Sequence, residues 1–400
     1  MKNEGFRIYI QGILTGILLA VCLLAVAKHF GIHLIPAGSL ADDVWERAKV
    51  VEKYIDNYYW KEDVSDQKIS EYAAKGMVSA LGDKYSVYYT DEEYEAAMNS
   101  VEGVFVGIGV TVSQEPDTNR KIIQEVQKGK PGEKAGLKEG DEIQKVNGTD
   151  VTSMSLTDTV NLIQNKEGKK SVLGISRVEN GKKTTFDVTV TCEEIVNQSV
   201  SSWMLSDGIG YLRISEFDNK TVGQFEEAVK KLEEKNQKGM IVDVRKNGGG
   251  SLSAAVTILD ELLPKGKLIT EKSRDKGDKV YESTDEKHFD KPLVVLIDQS
   301  SASASEVFAG TLQDRGAASL VGVKSFGKGI VQTIYSLKNS CGGGIKLTTG
   351  EYLLPSGRSI HEKGLTPDVE SEYTGTSGKM AADDDNQLTK AIEVMKAKVQ

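Results

Sequence analysis

The feature that most constrains this chain is a glycine-punctuated run, Lys130-Pro131-Gly132-Glu133-Lys134-Ala135-Gly136-Leu137-Lys138-Glu139-Gly140-Asp141-Glu142-Ile143-Gln144-Lys145-Val146-Asn147-Gly148. It sits among short β-rich stretches such as Val104 to Val112 and Thr184 to Thr191, with one helical stretch from Ser155 to Gln164. Glycines spaced in this way mark turns, so residues 101–192 read as a β-rich domain with short strands. A second glycine feature, Gly107-Ile108-Gly109-Val110, precedes the run. Taken alone it is compatible with a glycine bulge in a strand.

The flanking regions have other textures. Val44, Ala48, Val51 and Ile55 form one helical stripe, and Ile69, Tyr72, Ala73, Gly76, Met77 and Ala80 form another. The segment from Asp83 to Tyr89 breaks the pattern, and Thr90-Asp91-Glu92-Glu93 is a capping box that opens a further short helix. From 200 to 370 the chain alternates. Gly208 to Ser215, Gly239 to Val244 and Pro292 to Ile297 read as strands, the first two flanking a helix from Thr221 to Lys235, which is α/β texture. After 371 a Ser/Gly/Asp-rich linker leads to an amphipathic helix from Gln387 to Val399. With 400 residues the chain has room for two or three domains.

The N-terminus stands apart. Ile8 to Ala27 is an apolar stretch of 20 residues preceded by Lys2 and Arg7, long enough to span about 30 Å of hydrocarbon as a helix. It reads as a single-pass signal-anchor with its N-terminus inside, which puts the remaining chain at the cell membrane on the extracytoplasmic side. Ala25-Val26-Ala27 is the alternative, a small-residue cleavage site, but the apolar core is long for a cleaved signal.

Composition narrows the chemistry. The net charge of -9 repels a phosphate backbone, so nucleic acid is excluded as a partner. The three cysteines are widely spaced without C-x-x-C, and His29 and His33 lie beside the apolar stretch, leaving two of the four histidines for folded domains. A thiolate metal site, a disulfide framework and histidine catalysis are all disfavoured, and no metal or cofactor is expected. G-x-S-x-G and H-E-x-x-H are both absent.

What remains is serine and lysine. The strand Pro292 to Ile297 runs into Asp298-Gln299-Ser300-Ser301-Ala302-Ser303-Ala304-Ser305-Glu306 and then a helical pattern. Small residues at such a junction let a hydroxyl project beside free helix N–H groups, although serines at helix starts are commonly caps. Downstream, Ser325-Phe326-Gly327-Lys328-Gly329-Ile330-Val331-Gln332 places a lysine between glycines among apolar residues, where desolvation lowers an amine's pKa. A base near pH 7 needs a shift of roughly 3 units from ~10.4, which only a mostly dry pocket supplies. Gly322 to Lys328 also fits G-x-x-x-x-G-K, but Gly329 stands where a phosphate loop needs Ser or Thr. Spacing leaves Ser301 and Ser305 open as rivals to Ser303.

Two resemblances organise these observations. Residues 130–148 resemble the PDZ-domain signature, with Gly132 in place of an alanine. That resemblance implies that Gly107, Ile108, Gly109 and Val110 form a loop whose N–H groups bind a peptide's terminal carboxylate, the peptide adding as a strand. S-A-S-A-S-E followed by F-G-K-G-x-V-Q resembles the carboxyl-terminal processing (tail-specific) proteases, serine peptidases with a Ser-Lys dyad and an inserted PDZ domain. The same family is matched by the lead D-x-Y-S-x-Y, by Asp243 to Gly250, by Lys346 to Thr349 and by Pro355 to Val369.

The family resemblance implies Ser303 as nucleophile, Lys328 as general base and Gln332 as the residue that orients the amine from the same face of an extended segment. It implies an oxyanion hole from the N–H groups of Ala304 and Gly249, and gives Asp314 a supporting acidic position. It also implies a homodimer and a multidomain α+β architecture. The expected parts are a transmembrane segment over 1–34, helices over 35–100, a PDZ β-sandwich over 101–192, a protease core of ClpP/crotonase-like α/β type over 193–372, and a linker and helix over 373–400. Two positions depart from the pattern: Gly248 stands where the glycine turn more often has proline, and Gln164 where relatives often carry arginine. The expected activity is a membrane-anchored serine endopeptidase that recognises protein C-termini. The competing class is a PDZ scaffold that binds C-termini without cutting them.

Overall fold

Two of the three predicted strands are buried along their whole length and stand side by side in one parallel sheet, which accounts for their uninterrupted apolar sequences. The computed structural model describes residues 40–61, 64–163, 167–274, 276–284, 288–375 and 384–399. The expected span from Ile8 to Ala27 lies outside them. Among the described residues no helix is long and apolar enough to cross a membrane.

The chain divides into two units, residues 1–70 and 71–400. In the first, α1 (Leu40–Tyr58) carries the predicted stripe, and Trp45, Val51, Tyr54 and Tyr58 on this helix are 57% to 76% exposed among the described residues. Helix α2 (Asp66–Ser79) follows. In the second unit, β1 (Val87–Tyr89) leads to α3 (Asp91–Glu102), whose N-terminus is closed by the predicted capping box of Thr90 and Glu93.

The PDZ-like domain hangs on a two-stranded stem, β2 (Val104–Gly107) paired with β9 (Glu193–Val196). Between them β3 (Val110–Gln114), β4 (Lys121–Val126), β5 (Glu142–Val146), β7 (Lys170–Glu179) and β8 (Lys182–Thr191) form an antiparallel sheet in that order, with β6 (Thr149–Asp150) on β5. Two short helices, α4 (Pro131–Lys134) and α5 (Leu156–Leu162), complete it. Ile123, Ile143, Val146, Leu173 and Ile175 fill its core. Asp141, in the glycine-rich run, is fully buried against the Arg177 guanidinium at 2.6 and 2.8 Å.

The core sheet has the order β10 (Val200–Met204), β11 (Ile209–Ile214), β12 (Gly239–Asp243), β15 (Leu293–Ile297), β16 (Ala318–Gly322) and β19 (Val369–Glu370), with only β10 antiparallel. The order of the parallel strands never reverses, so right-handed crossovers put α6 (Thr221–Glu234), α7 (Leu252–Leu262) and α8 (Ala304–Asp314) on one face. Phe225, Ile258, Leu259, Val307 and Phe308 fill that layer. The opposite face is covered by the tail helix α9 (Asn386–Val399) through Leu388, Ala391 and Met395. A second sheet combines β13 (Gly266–Ser273), β14 (Gly277–Ser283), β17 (Ile330–Ser336) and β18 (Gly344–Leu353) with β1 of the helical lead.

A buried ion network fastens the tail. Arg245 has no exposed surface, and it donates to Asp243, to Asp385 at 2.7 and 2.9 Å, and to Gln387 at 2.9 Å. Tyr211 adds a hydroxyl to Asp243 at 2.6 Å. Burial opposes the charge on Arg245, but its bonds to Asp385 and Asp243 outweigh burial and hold it more firmly protonated. Breaking such a group from one side strands charge in a dry interior. Arg245→Ala therefore leaves two buried carboxylates facing each other and lowers stability by about 3–5 kcal/mol, read as a lower urea midpoint at unchanged slope.

Candidate active site

The serine run turns the chain from β15 into α8, and its hydroxyls divide into two kinds. Ser301 and Ser305 are fully buried, and their Oγ atoms donate to the carbonyls of Val244 at 2.8 Å and Asn247 at 3.0 Å. Both are thereby committed to fastening the run to the end of β12. Ser303, between them, donates its hydroxyl to no carbonyl among the described residues; its side chain faces the Glu306 N–H in the capping box that opens the helix. Its backbone is held at φ 56°, a left-handed conformation that costs a non-glycine residue about 1–3 kcal/mol. Ser303 thus differs from Ser301 and Ser305 in its backbone and in the engagement of its hydroxyl.

The glycine turn after β12 presses on this strained residue. A Cβ at Gly249, where φ is +103°, would lie 2.6 Å from the Ala302 carbonyl, 2.8 Å from Ser303 Cβ and 2.9 Å from Ala304 N. Only glycine fits there. At Gly248 a Cβ would meet nothing within 4 Å, so the departure from proline is not forced by space. The two expected oxyanion donors differ. The Ala304 N–H, in the first turn of α8, donates to no acceptor among the described residues, whereas the Gly249 N–H already donates to Asn247 Oδ1 at 2.8 Å.

One residue absent from the predicted set joins the two halves of the site. Glu306, fully buried at the third position of α8, accepts from the N–H of Ser303 at 3.0 Å and of Lys328 at 2.8 Å through one oxygen. Its other oxygen accepts from the Gly327 N–H at 2.7 Å and the Ser325 hydroxyl at 2.5 Å. The sequence signal was present as the glutamate closing S-A-S-A-S-E, three residues after Ser303, but a capping glutamate looks ordinary until its second oxygen finds a distant partner.

Lys328 is half-buried. Burial pushes its amine down from the ordinary lysine value, as do Lys346 and Lys84, while Asp83 and Glu306 oppose the shift. The amine lies 4.7 Å over the Tyr85 ring and makes no hydrogen bond to Ser303. Tyr85 belongs to the segment that breaks the helical pattern at Asp83. Asp83 accepts from the Tyr85 N–H at 3.0 Å and the Ser86 hydroxyl at 2.6 Å, and β1 then pairs with β18, so the chain just after Tyr85 joins the second sheet, to which β17 also belongs.

Two expected site residues, Gln332 and Asp314, are placed differently. Gln332 lies on β17, which begins at Ile330, two residues after Lys328, and its amide donates to the Ile330 carbonyl at 3.5 Å rather than meeting the amine. Asp314 ends α8, so eleven residues from Ser303 set it about 16 Å down the axis. There it holds Arg358 at 2.8 Å and the Ser356 N–H at 3.0 Å, away from the serine. Gln164 lies outside the described residues. In the PDZ-like domain, among the described residues, the N–H groups of Ile108 and Gly109 donate to no acceptor and β3 keeps one edge unpaired beside α5. Gly132 explains its own departure from alanine: a Cβ would meet Val110 at 2.7 Å and the Ile108 carbonyl at 2.9 Å.

Known proteins match this architecture. The profile of Peptidase family S41 matches residues 208–371, and that of the PDZ domain matches residues 103–176. The carboxy-terminal processing protease CtpA of Bacillus subtilis is 33% identical over 374 residues, 93% of this chain and 78% of that protein. A Staphylococcus aureus protein named "Probable CtpA-like serine protease" is 33% identical over 377 residues, 92% of this chain and 74% of its own length. A Bacteroides fragilis protein assigned to the S41 proteases shares the fold at a TM-score of 0.55 and 17% identity, covering 87% of this chain and 97% of its own.

The contrast between the two glycines is testable. Gly248→Ala should leave peptide hydrolysis near the wild-type rate. Gly249→Ala, in the same assay, should cut kcat by about 100-fold or more, as loss of one oxyanion donor does elsewhere, because the Cβ displaces the turn from Ser303.

Proposed function

The chain belongs to the carboxy-terminal processing proteases of peptidase family S41, serine proteases that carry a PDZ domain, and from that premise we propose that it cleaves peptide bonds with Ser303 as nucleophile and Lys328 as general base. The observation that carries this reading is the Glu306 carboxylate, whose four bonds hold the strained Ser303 turn and the Lys328 segment together.

The chemistry follows from the environment of each group. The amine must be neutral to accept a proton, and burial with two neighbouring lysines moves it in that direction. Resting on Tyr85, it must first leave the ring, because an aromatic face favours the charged form. Neutral Lys328 takes the Ser303 proton as Oγ attacks the scissile carbonyl. The carbonyl oxygen, now negative, meets the Ala304 N–H, and the Gly249 N–H joins it by releasing Asn247 Oδ1. The lysine gives its proton to the leaving amine, and water then hydrolyses the acyl-serine with Lys328 again as base. Gln332 orients the amine once its amide leaves the Ile330 carbonyl. Asp314 acts at a distance, through the Arg358 loop.

Substrate selection rests on the PDZ domain. The unengaged N–H groups of Ile108 and Gly109 suit a terminal carboxylate, with Gly107 and Val110 completing the loop, and the free edge of β3 suits an added strand. The substrates are proteins or peptides taken by their C-termini. The apolar N-terminal segment anchors the chain, which places the protease outside the cytoplasm, and the exposed Trp45, Tyr54 and Tyr58 of α1 support a homodimer.

Cleavage assays and membrane extraction test this reading. Ser303→Ala and Lys328→Ala should each abolish cleavage of a peptide with an apolar C-terminus, whereas Ser301→Ala should retain it. The kcat/KM of the wild type should rise with pH along a limb below the ordinary lysine range, since the neutral amine is active; an unchanged rate in either first variant contradicts the dyad. Separately, the full chain should resist alkaline carbonate extraction, yield to detergent and then run as a dimer by light scattering.

A further inference from the structure

The stem of the PDZ domain and the glycine turn beside Ser303 meet on the same short loop, residues 215–220 between β11 and α6. Two consecutive residues of that loop serve them separately. Phe217, 1% exposed, donates its N–H to the Gly249 carbonyl at 2.9 Å and accepts from the Ser251 N–H at 2.6 Å. A Cβ at Gly250 would lie 2.0 Å from the Phe217 carbonyl, so the loop and the turn are in direct backbone contact. Asp218, fully buried, turns to the stem.

The base of the stem is fastened to Asp218. Asn197, the residue after β9, donates its side-chain amide to Asp218 Oδ2 at 3.1 Å and to Glu216 at 3.4 Å. Its backbone N–H donates to the Gly103 carbonyl at 2.9 Å, closing the ribbon before β2. Gly103 has φ +71°, and a Cβ there would stand 2.4 Å from Asp218 Oδ1, so the stem approaches as closely as a glycine permits. The other Asp218 oxygen is committed to the N–H groups of Lys220 and Thr221 at 2.8 and 2.9 Å, which fixes the carboxylate at the start of α6. Burial and Asp218 both hold the Glu216 carboxyl above the usual range, so Asn197 is a donor set between two acids.

We propose that Asn197 and Asp218 are positioning residues for cleavage, carrying the set of the PDZ stem through Phe217 to the glycine turn beside Ser303. The inference rests on the reading of Ser303 as nucleophile and of the PDZ domain as the C-terminus binder. A peptide on the PDZ domain acts on the cleavage site through this clasp only if it favours one setting of the stem over another. Distance poses no difficulty, because each link is a single hydrogen bond or a close contact. The same clasp predicts that cutting the Asn197–Asp218 bond leaves both sites intact and separates them.

The test uses the full-length protein and an amidated reporter peptide, turned over with and without a second short peptide ending in a free Ala-Ala carboxylate. The wild type should change its reporter rate by on the order of ten-fold when the second peptide is added, and should ignore that peptide's amidated twin. Asn197→Ala removes the donor. Asp218→Asn keeps the oxygen that caps α6 and replaces the acceptor facing Asn197 with a donor, so it is the variant least exposed to misfolding. In both, the response should fall towards unity while the peptide still binds by fluorescence anisotropy. A wild-type response in either variant overturns the clasp. A wild type that cleaves the reporter but does not respond to the second peptide also overturns it and leaves the Ser303–Lys328 reading standing. A wild type that cleaves nothing, whatever is added, overturns the protease reading instead.

Discussion

Everything proposed for this site depends on one buried carboxylate. Glu306 accepts four hydrogen bonds from two segments about twenty residues apart in sequence, and charge-assisted bonds of this kind are roughly twice as strong as neutral ones. Without it, the left-handed Ser303 would relax and the glycine-flanked lysine segment would lose its register against α8. The arrangement also has an electrostatic consequence. Glu306 opposes the depression of the Lys328 amine, so burial and the lysines at 84 and 346 have to outweigh it. Position and basicity are therefore set against each other by the same side chain.

The sheet order sets a second constraint. Because the parallel strands run in one direction without reversal, three helices crowd one face and leave the other bare. The tail helix closes that face. Arg245 fastens it at the end of β12, immediately before the turn that presses on Ser303. A segment that lies beyond the family match and follows a polar linker is in this way part of the catalytic core. Its apolar residues cover the sheet, and its Asp385 and Gln387 satisfy a guanidinium that has no access to water.

What the sequence disclosed, and what it hid, follow from the range of the forces involved. Strands β11, β12 and β15, the helix after Ser303 and the tail helix are all written in local periodicity, and the glycine run announces the PDZ domain. Ser303 could be separated from Ser301 and Ser305 only when the carbonyls of Val244 and Asn247 appeared beside the latter two. Asp314, expected in a supporting position, lies a helix length from Ser303 and binds Arg358, a long-range partner that local sequence does not show. Gln332 was expected to meet Lys328 from the same face of an extended segment, but the strand begins only at Ile330, so its alternation does not reach back to Lys328. Strand β1 was invisible as such, being three residues whose partner lies more than 250 positions away.

The central claim is that a lysine, rather than a histidine, supplies the base, and its most direct test is to titrate that lysine. Nitrogen-15 NMR of the Lys328 side chain, assigned by comparison with Lys328→Arg, reads the protonation of the one group the mechanism requires to be neutral. The account predicts a midpoint clearly below the ~10.4 of an ordinary lysine. A midpoint at or above that value would contradict it.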